Sequence, residues 1–508
     1  MDYNSDPHSF PEQLQSLRKE LNLPGFLPDM ARLEWHRYQV QSDTTPLDAP
    51  RDAVVANPSL GVYPVSWRHL ATLIVSGMHD NCPMPERASV HVMIWRHPQT
   101  GEIHLREAGD IDLLALKIVV EQIDPREAAA AGHVTVGEIQ ASLDRAVSKG
   151  LLLAPESRIS RLSQSKSTLP QEQAPYVSAD TFTLQWHVTQ ACDLHCKHCY
   201  DRSSRPSMPL YEALAVIDEF YTFCRSMHVA GHVTFTGGNP LLYPHFSEIY
   251  KAAADYGFGL AILGNPASRE QLVSLCDIAK PSFYQISLEG LADHNDDIRG
   301  EGHFERSLRF LDQLKDLEIF SMVMLTLTRD NMDQVLPLAS LLRNRADAFN
   351  FNRLSAVGEG AHLSMPTRDR FESFLRSYAA AAEENSILGL KDNLINIIRD
   401  EKKMPPFGGC AGYGCGAAFN FIALLSDGEV HACRKFPSLI GNIRQSRLQD
   451  IYDSEAARRY RGGSEACSDC RLSTVCRGCL AVTYSLGLDP FKAKDPFCFA
   501  SEALCGSG

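Results

Sequence analysis

From Phe182 to Ser355 the sequence repeats a two-part unit six times. Short apolar, β-rich runs stand at "FTLQWHVT", "HVTFTG", "GLAILG", "FYQISLEG", "SMVMLTLT" and "FNFNRLS". Helix-patterned segments separate them, among them "LYEALAVIDEFYTFC" and "FERSLRFLDQLKDL". Few folds accept this rhythm. A strand that reaches a parallel neighbour through a helix does so by a right-handed crossover, so the unit builds a parallel sheet covered by helices. Six units predict an α/β domain over residues 181–360, a partial and open relative of the (β/α) barrel. Such folds place their chemistry at the carboxyl ends of the strands.

The first of those ends runs into "TQACDLHCKHCY", where Cys192, Cys196 and Cys199 are spaced C-x3-C-x2-C. The chain has 508 residues, too many for one ordinary domain, and 15 cysteines. Three fall at 192–199, three at 410–433 and five at 467–498. Cys505 trails them, while Cys82, Cys224 and Cys276 stand alone. Disulfide frameworks belong mainly to short secreted chains, and "MDYNSDPHSFPEQ" lacks the basic-then-apolar order of a secretory signal. Clustered thiols in a cytoplasmic chain therefore read as metal ligands. No apolar run approaches the roughly 18 residues of a membrane helix. A formal charge of −13 argues against a general nucleic-acid role, which needs basic surface.

A four-iron cluster normally takes four thiolates, so three cysteines leave one iron with an open position for a substrate or cofactor. Zinc is the other reading, with His195 or His198 as a fourth ligand. The residues at later strand ends bear on this choice. C-x3-C-x2-C followed by an aromatic, here Tyr200, resembles the signature of radical S-adenosylmethionine (SAM) enzymes. The resemblance implies that Cys192, Cys196 and Cys199 hold a [4Fe-4S] cluster whose open iron is chelated by SAM. "TGGNP" (Thr236, Gly237, Gly238, Asn239, Pro240) is similar to the family's Gly-Gly-Glu-Pro motif, whose backbone holds the SAM amino group. Asn239 replaces the usual glutamate. Asn265, Ser287, Glu289, Arg299 and Arg353 stand at or just beyond the next strand ends and are expected SAM contacts.

The C-terminal cysteines resemble the SPASM domain, the twin auxiliary-cluster extension of this family. Cys415 leads through Gly428 to Cys433, and "CSDCRLSTVCRGC" precedes Cys498. The family's pairing implies that Cys410, Cys415, Cys433 and Cys479 hold one auxiliary [4Fe-4S] cluster. Cys467, Cys470, Cys476 and Cys498 would hold the other. The chain departs from the pattern at Cys476 to Cys479, which is x2 rather than x3. Read alone, this region also suits a zinc-ribbon pair.

The expected organisation is an N-terminal domain at 1–154, a Ser/Gln/Pro-rich linker at 155–180, the barrel at 181–360, a helical connection at 361–405 and the SPASM domain at 406–508. In the first, Phe26, Met30 and Leu33 sit at helical spacing, and Thr135 with Glu138 fits a capping box. Helix, turn, helix and "GLLL" over 108–154 suit a winged-helix-like unit. Its seven acidic against four basic side chains favour peptide or protein docking, or equally a purely structural cap, over DNA.

The resemblance points to the peptide-maturase branch, with a selenobiotic-peptide type as one candidate. A ribosomally made precursor peptide would be the substrate, and a flavodoxin- or ferredoxin-type protein the electron donor. Hydrogen abstraction would lead to a thioether, a C–C crosslink or another oxidised product. Two rivals stand beside it. One is a sulfatase-type maturase making formylglycine, for which Asp293, Asp296 or Asp297 would be the general base. The other is a non-enzymatic iron–sulfur or zinc protein that binds partners.

Overall fold

The computed structural model describes residues 9–77, 83–161 and 172–505. Cys82, the middle of the expected linker and the Cys505 side chain lie outside the described residues. The chain divides into two compact units, Met1–Glu156 and Ser157–Gly508.

The front unit is built on two cores. In the first, helix Leu27–Ser42 packs Leu33 and Val40 against Val65, Val92, Ile94 and Leu105 of a sheet, with Met30 partly buried beside them. The strands there are β2 (Gly61–Arg68), β3 (Glu86–Arg96) and β4 (Ile103–Glu107), antiparallel in the order β2-β3-β4. Sequence reasoning, built on the helices, missed this sheet. The second core gathers Trp95, Leu116, Ile139, Leu143 and Leu152 beneath helices Asp110–Val120, Pro125–Gly132 and Val136–Ser148. The last helix opens with the capping box: Glu138 N donates to Thr135 Oγ1 at 3.2 Å, and Thr135 N donates to Glu138 Oε2 at 2.8 Å. The strand after it, β5 (Leu152–Leu153), pairs antiparallel with the distant β1 (Val55–Ala56).

In the back unit each of the six apolar runs forms a strand. These are β6 (Thr181–Thr189), β7 (Ala230–Gly237), β8 (Gly259–Leu263), β9 (Phe283–Ser287), β10 (Ser321–Leu327) and β11 (Ala348–Arg353). All neighbours in this series are parallel. Both faces are covered, so the strands read as near-continuous apolar runs: Val233, Phe235, Ile262, Tyr284, Ile286, Val323, Leu325 and Phe349 are fully buried. The covering helices are amphipathic. His303–Asp316, for example, buries Phe304, Leu308, Leu311 and Leu314 at helical spacing.

The cysteine-rich segment continues the same sheet. Strand β12 (Phe421–Leu424) lies parallel to β6 on the edge away from β7, and β13 (Glu429–His431) and β14 (Leu439–Asn442) add antiparallel. The result is a nine-stranded sheet ordered β11-β10-β9-β8-β7-β6-β12-β13-β14. Described parts of the expected linker also pack here: Ile159 is buried, and the Arg161 guanidinium lies 4.1 Å over the Phe419 ring. Among the described residues no helix is long and apolar enough to cross a membrane.

Three thiol sets at the strand ends

The loop after β6 carries Cys192, Cys196 and Cys199 into the wall of an open cavity of about 430 Å³. That wall also takes in the carboxyl ends of the strands: Gly237 from β7, Asn265 just after β8, Ser287 from β9, Thr326 from β10 and Arg353 from β11. Thr236, Gly238, Tyr200 and Arg299 also line it. Parallel topology alone brings these residues together, since they span more than 160 positions of sequence.

The glycine pair is required by packing. A Cβ on Gly237 would stand 2.2 Å from Thr189 O, and one on Gly238 would stand 2.2 Å from Ala191 O. Gly237 also takes φ +132°, where side-chain-bearing residues are strained. Gly238 N donates to Thr189 O at 2.9 Å and Asn239 N to Ala191 O at 2.7 Å. Those N–H groups are spent on the cysteine loop. What the turn can still offer an ammonium group is carbonyl oxygen, the acceptor such a donor needs.

Three predicted contacts fall outside the cavity wall. Asn239 turns to the cysteine loop, where its Nδ2 donates to Asp193 Oδ1 at 3.1 Å and its Oδ1 accepts from Leu241 N. Asn265 Nδ2 donates to the same Asp193 oxygen at 2.5 Å. Pro240 is buried at the start of the turn Pro240–Leu242. Glu289 is also buried. Its Oε1 accepts from Arg299 Nη2 at 2.6 Å and Nε at 3.0 Å, and its Oε2 accepts from Thr326 N at 2.8 Å. Burial pushes this carboxyl up, but His198, Arg299 and the Thr326 N–H outweigh it and hold the pKa below the ordinary value. Glu289 thus positions Arg299, whose Nη1 stands 3.7 Å from Cys196 Sγ. Burial raises the Cys196 thiol, and Arg299 works against that rise.

Both histidines line the cavity, and His198 also sets its Nε2 3.3 Å from Glu289 Oε1. Tyr200 directs its hydroxyl to His187 Nδ1 at 3.2 Å, and burial brings the His187 pKa down to about 3. Asp293, Asp296 and Asp297 are not in the wall: Asp296 accepts from Gly302 N and Phe304 N, and Asp297 pairs with Lys197 at 2.6 Å. Among the described lining residues the one carboxylate is Asp201, held by Ser203, Gln190 and Arg205.

Two further cavities each collect four thiols. Cys410, Cys415, Cys433 and Cys479 line the first; Cys467, Cys470, Cys476 and Cys498 line the second. Cys479 reaches its set despite the short spacing because Arg477 and Gly478 take left-handed conformations, φ +58° and +61°. Burial pushes the thiols of Cys415 and Cys467 up to about 11 and that of Cys433 up to about 12. Thiols so placed ionise only beside a compensating cation, which a metal group supplies. Each set of four borders a cavity of its own. Three thiols at an open cavity and two closed sets of four fit one SAM-binding and two auxiliary iron–sulfur clusters.

Sequence reasoning missed Arg434 and Lys435. They follow Cys433 directly and line the cavity of Cys192, Cys196 and Cys199, and Asn352, Arg353 and Lys435 border the first four-thiol cavity as well. Their position after a clustered cysteine was the available signal.

Comparison with known proteins agrees with this geometry. Residues 186–342 match the radical SAM superfamily, and residues 415–479 match the SPASM iron–sulfur cluster-binding domain. The chain is 28% identical over 349 residues to an AdoMet-dependent heme synthase of Oleidesulfovibrio alaskensis, covering 62% of this chain and 86% of that protein. It is 28% identical over 336 residues to the mycofactocin maturase MftC of Mycolicibacterium smegmatis, covering 62% and 82%. The crystal structure of Streptococcus suis SuiB bound to its precursor peptide SuiA superposes with a TM-score of 0.52 at 16% identity. That match covers 80% of this chain and 96% of SuiB. The chain thus carries a radical SAM domain over residues 186–342 followed by a SPASM iron–sulfur cluster-binding domain over residues 415–479.

Proposed function

We propose that this enzyme is a peptide maturase that removes a hydrogen atom from a ribosomally made precursor peptide and leaves an oxidative modification such as a thioether or a C–C crosslink. Bound SAM, reduced by one electron from the cluster of Cys192, Cys196 and Cys199, supplies methionine and the 5′-deoxyadenosyl radical. A donor of the flavodoxin or ferredoxin type provides that electron. The chain's own residues orient the pieces. Gly237 and Gly238 present carbonyl oxygens, Asn265 and Ser287 stand at neighbouring strand ends, and Arg353 and Lys435 close the far side.

The observation that carries the reading is the shared wall between the SAM cavity and the cavity of Cys410, Cys415, Cys433 and Cys479. A substrate radical that closes to a crosslink must lose one more electron and a proton, and a cluster held by Cys410, Cys415, Cys433 and Cys479 would supply the electron acceptor. The front unit, with two cores of its own, is the part suited to a peptide leader. Both MftC and SuiB, by name, act on or bind such systems, whereas the heme synthase sets the rival outcome of a small-molecule substrate.

The test is anaerobic incubation with SAM, dithionite and the peptide encoded by the short reading frame beside that of this chain. Mass spectrometry should show loss of two hydrogens for each bond formed, matched by one 5′-deoxyadenosine. Removing the peptide's leader should lower kcat/KM while SAM cleavage persists. Conversion of a Cys or Ser to formylglycine, or turnover of a porphyrin and no peptide, would replace the proposal.

A further inference from the structure

One buried ion network touches all three thiol sites. Arg353, the last residue of β11, is 5% exposed and lies in the wall shared by two cavities. Its Nε donates to Asp392 Oδ2 at 2.7 Å, and its Nη1 and Nη2 donate to the two oxygens of Asp495 at 2.8 and 2.7 Å. The Asp495 side chain is 1% exposed. It spends its remaining lone pairs on two backbone donors: Cys479 N at 2.8 Å and Phe497 N at 3.0 Å. Cys479 belongs to the first four-thiol set, and Phe497 immediately precedes Cys498 of the second. The rings of Phe371 and Phe497 lie within 5.6 Å of the guanidinium and seal it from water.

We propose that Asp495 is a positioning residue for both auxiliary clusters. One carboxylate, pinned to the end of β11 by the Arg353 fork, fixes the backbone of a ligand in each set and so fixes both sets relative to the SAM cavity. A bidentate guanidinium–carboxylate pair restricts direction as well as distance. A buried pair of this kind adds little net stability over an apolar replacement, and its use is to set a register. Hydrogen bonds behind a metal ligand tune the metal group. This inference rests on the reading of the two four-cysteine sets as cluster ligands. Asp347 provides the internal control: it stands just before the other end of β11, accepts from Ser321 N and Oγ at 2.7 and 2.9 Å, and lines none of the three thiol cavities.

The experiment compares reconstituted full-length wild type with Asp495→Asn and Asp347→Asn by iron content, electron paramagnetic resonance and potentiometric titration. D495N should change the signals and midpoint potentials of both auxiliary clusters and leave the SAM-responsive signal of the third unchanged. D347N should leave all three as in wild type. Wild-type auxiliary signals in D495N, or equal shifts in D347N, would overturn the proposal. Should D495N fail to accumulate as folded protein, Arg353→Lys carries the test, because it keeps the charge and removes the fork. Altered auxiliary signals are expected there, and unaltered ones overturn it. Failure of the ligand reading looks different: wild type itself would hold only about four irons per chain and show no auxiliary signals.

Discussion

His303 is buried against Asn295 and Ser307, and burial, followed by the charge of Arg299, brings its pKa down to about 3. Its folded value thus lies below the roughly 6.5 of an unfolded histidine. Between those two values the unfolded chain binds the extra proton, so stability falls as pH falls through that window. Thermal melts under argon should show Tm dropping from pH 7 to pH 5, with a shallower slope in His303→Gln. An unchanged slope would remove His303 from the account. At the glycine turn, Gly238→Ala pushes a Cβ into Ala191 O, so the cysteine loop must move. Overpacking of this kind costs about 1–3 kcal/mol, and the displaced loop should also lose SAM cleavage, read as 5′-deoxyadenosine. The sequence marked Gly237 and Gly238 as site residues, but it suggested ligand approach as the reason. The closer constraint is the carbonyl of the preceding strand end, which spacing does not reveal. Glu289 misled for a related reason: its place at a strand end suggested a cavity contact, whereas its oxygens are consumed by Arg299 and Thr326.

The six parallel strands were legible because both faces are largely buried and each run is rich in apolar and β-branched residues. The front sheet was not. Strand β2 holds Pro64 and lies at an edge, and β3 buries only part of its length, so neither run carries a strong periodic signal. The pairing of β12 with β6 was invisible for a different reason: it joins residues about 240 positions apart, which no local pattern encodes. That pairing has a consequence at the scale of elements. A chain ended after residue 405 would leave the β6 edge open and strip Arg205 of Asp427 and Glu429, and Arg353 of Asp495. Open edges template aggregation. Size-exclusion chromatography should therefore find this truncation in the void volume or in inclusion bodies; a soluble monomer would contradict the shared sheet.

For the molecule as a whole, cysteine spacing carried most of the information about function, since the members of each spaced set meet at one cavity even where, as for Cys433 and Cys479, they are far apart in sequence. The ion network that ties the sets together was not legible, because Arg353 reaches Asp392 and Asp495 across 39 and 142 residues. The arrangement of three separate sets also predicts separable losses. Replacing Cys192, Cys196 and Cys199 together by Ala should remove about four irons and all SAM cleavage while both auxiliary signals remain. The measurement that tests the account most directly is the metal content of the anaerobically reconstituted wild-type protein, taken with 5′-deoxyadenosine formation under dithionite. The account predicts about 12 irons per chain, no zinc, and SAM cleavage. Zinc in the C-terminal sets with about four irons would contradict the twin auxiliary clusters, and iron without SAM cleavage would contradict the enzyme.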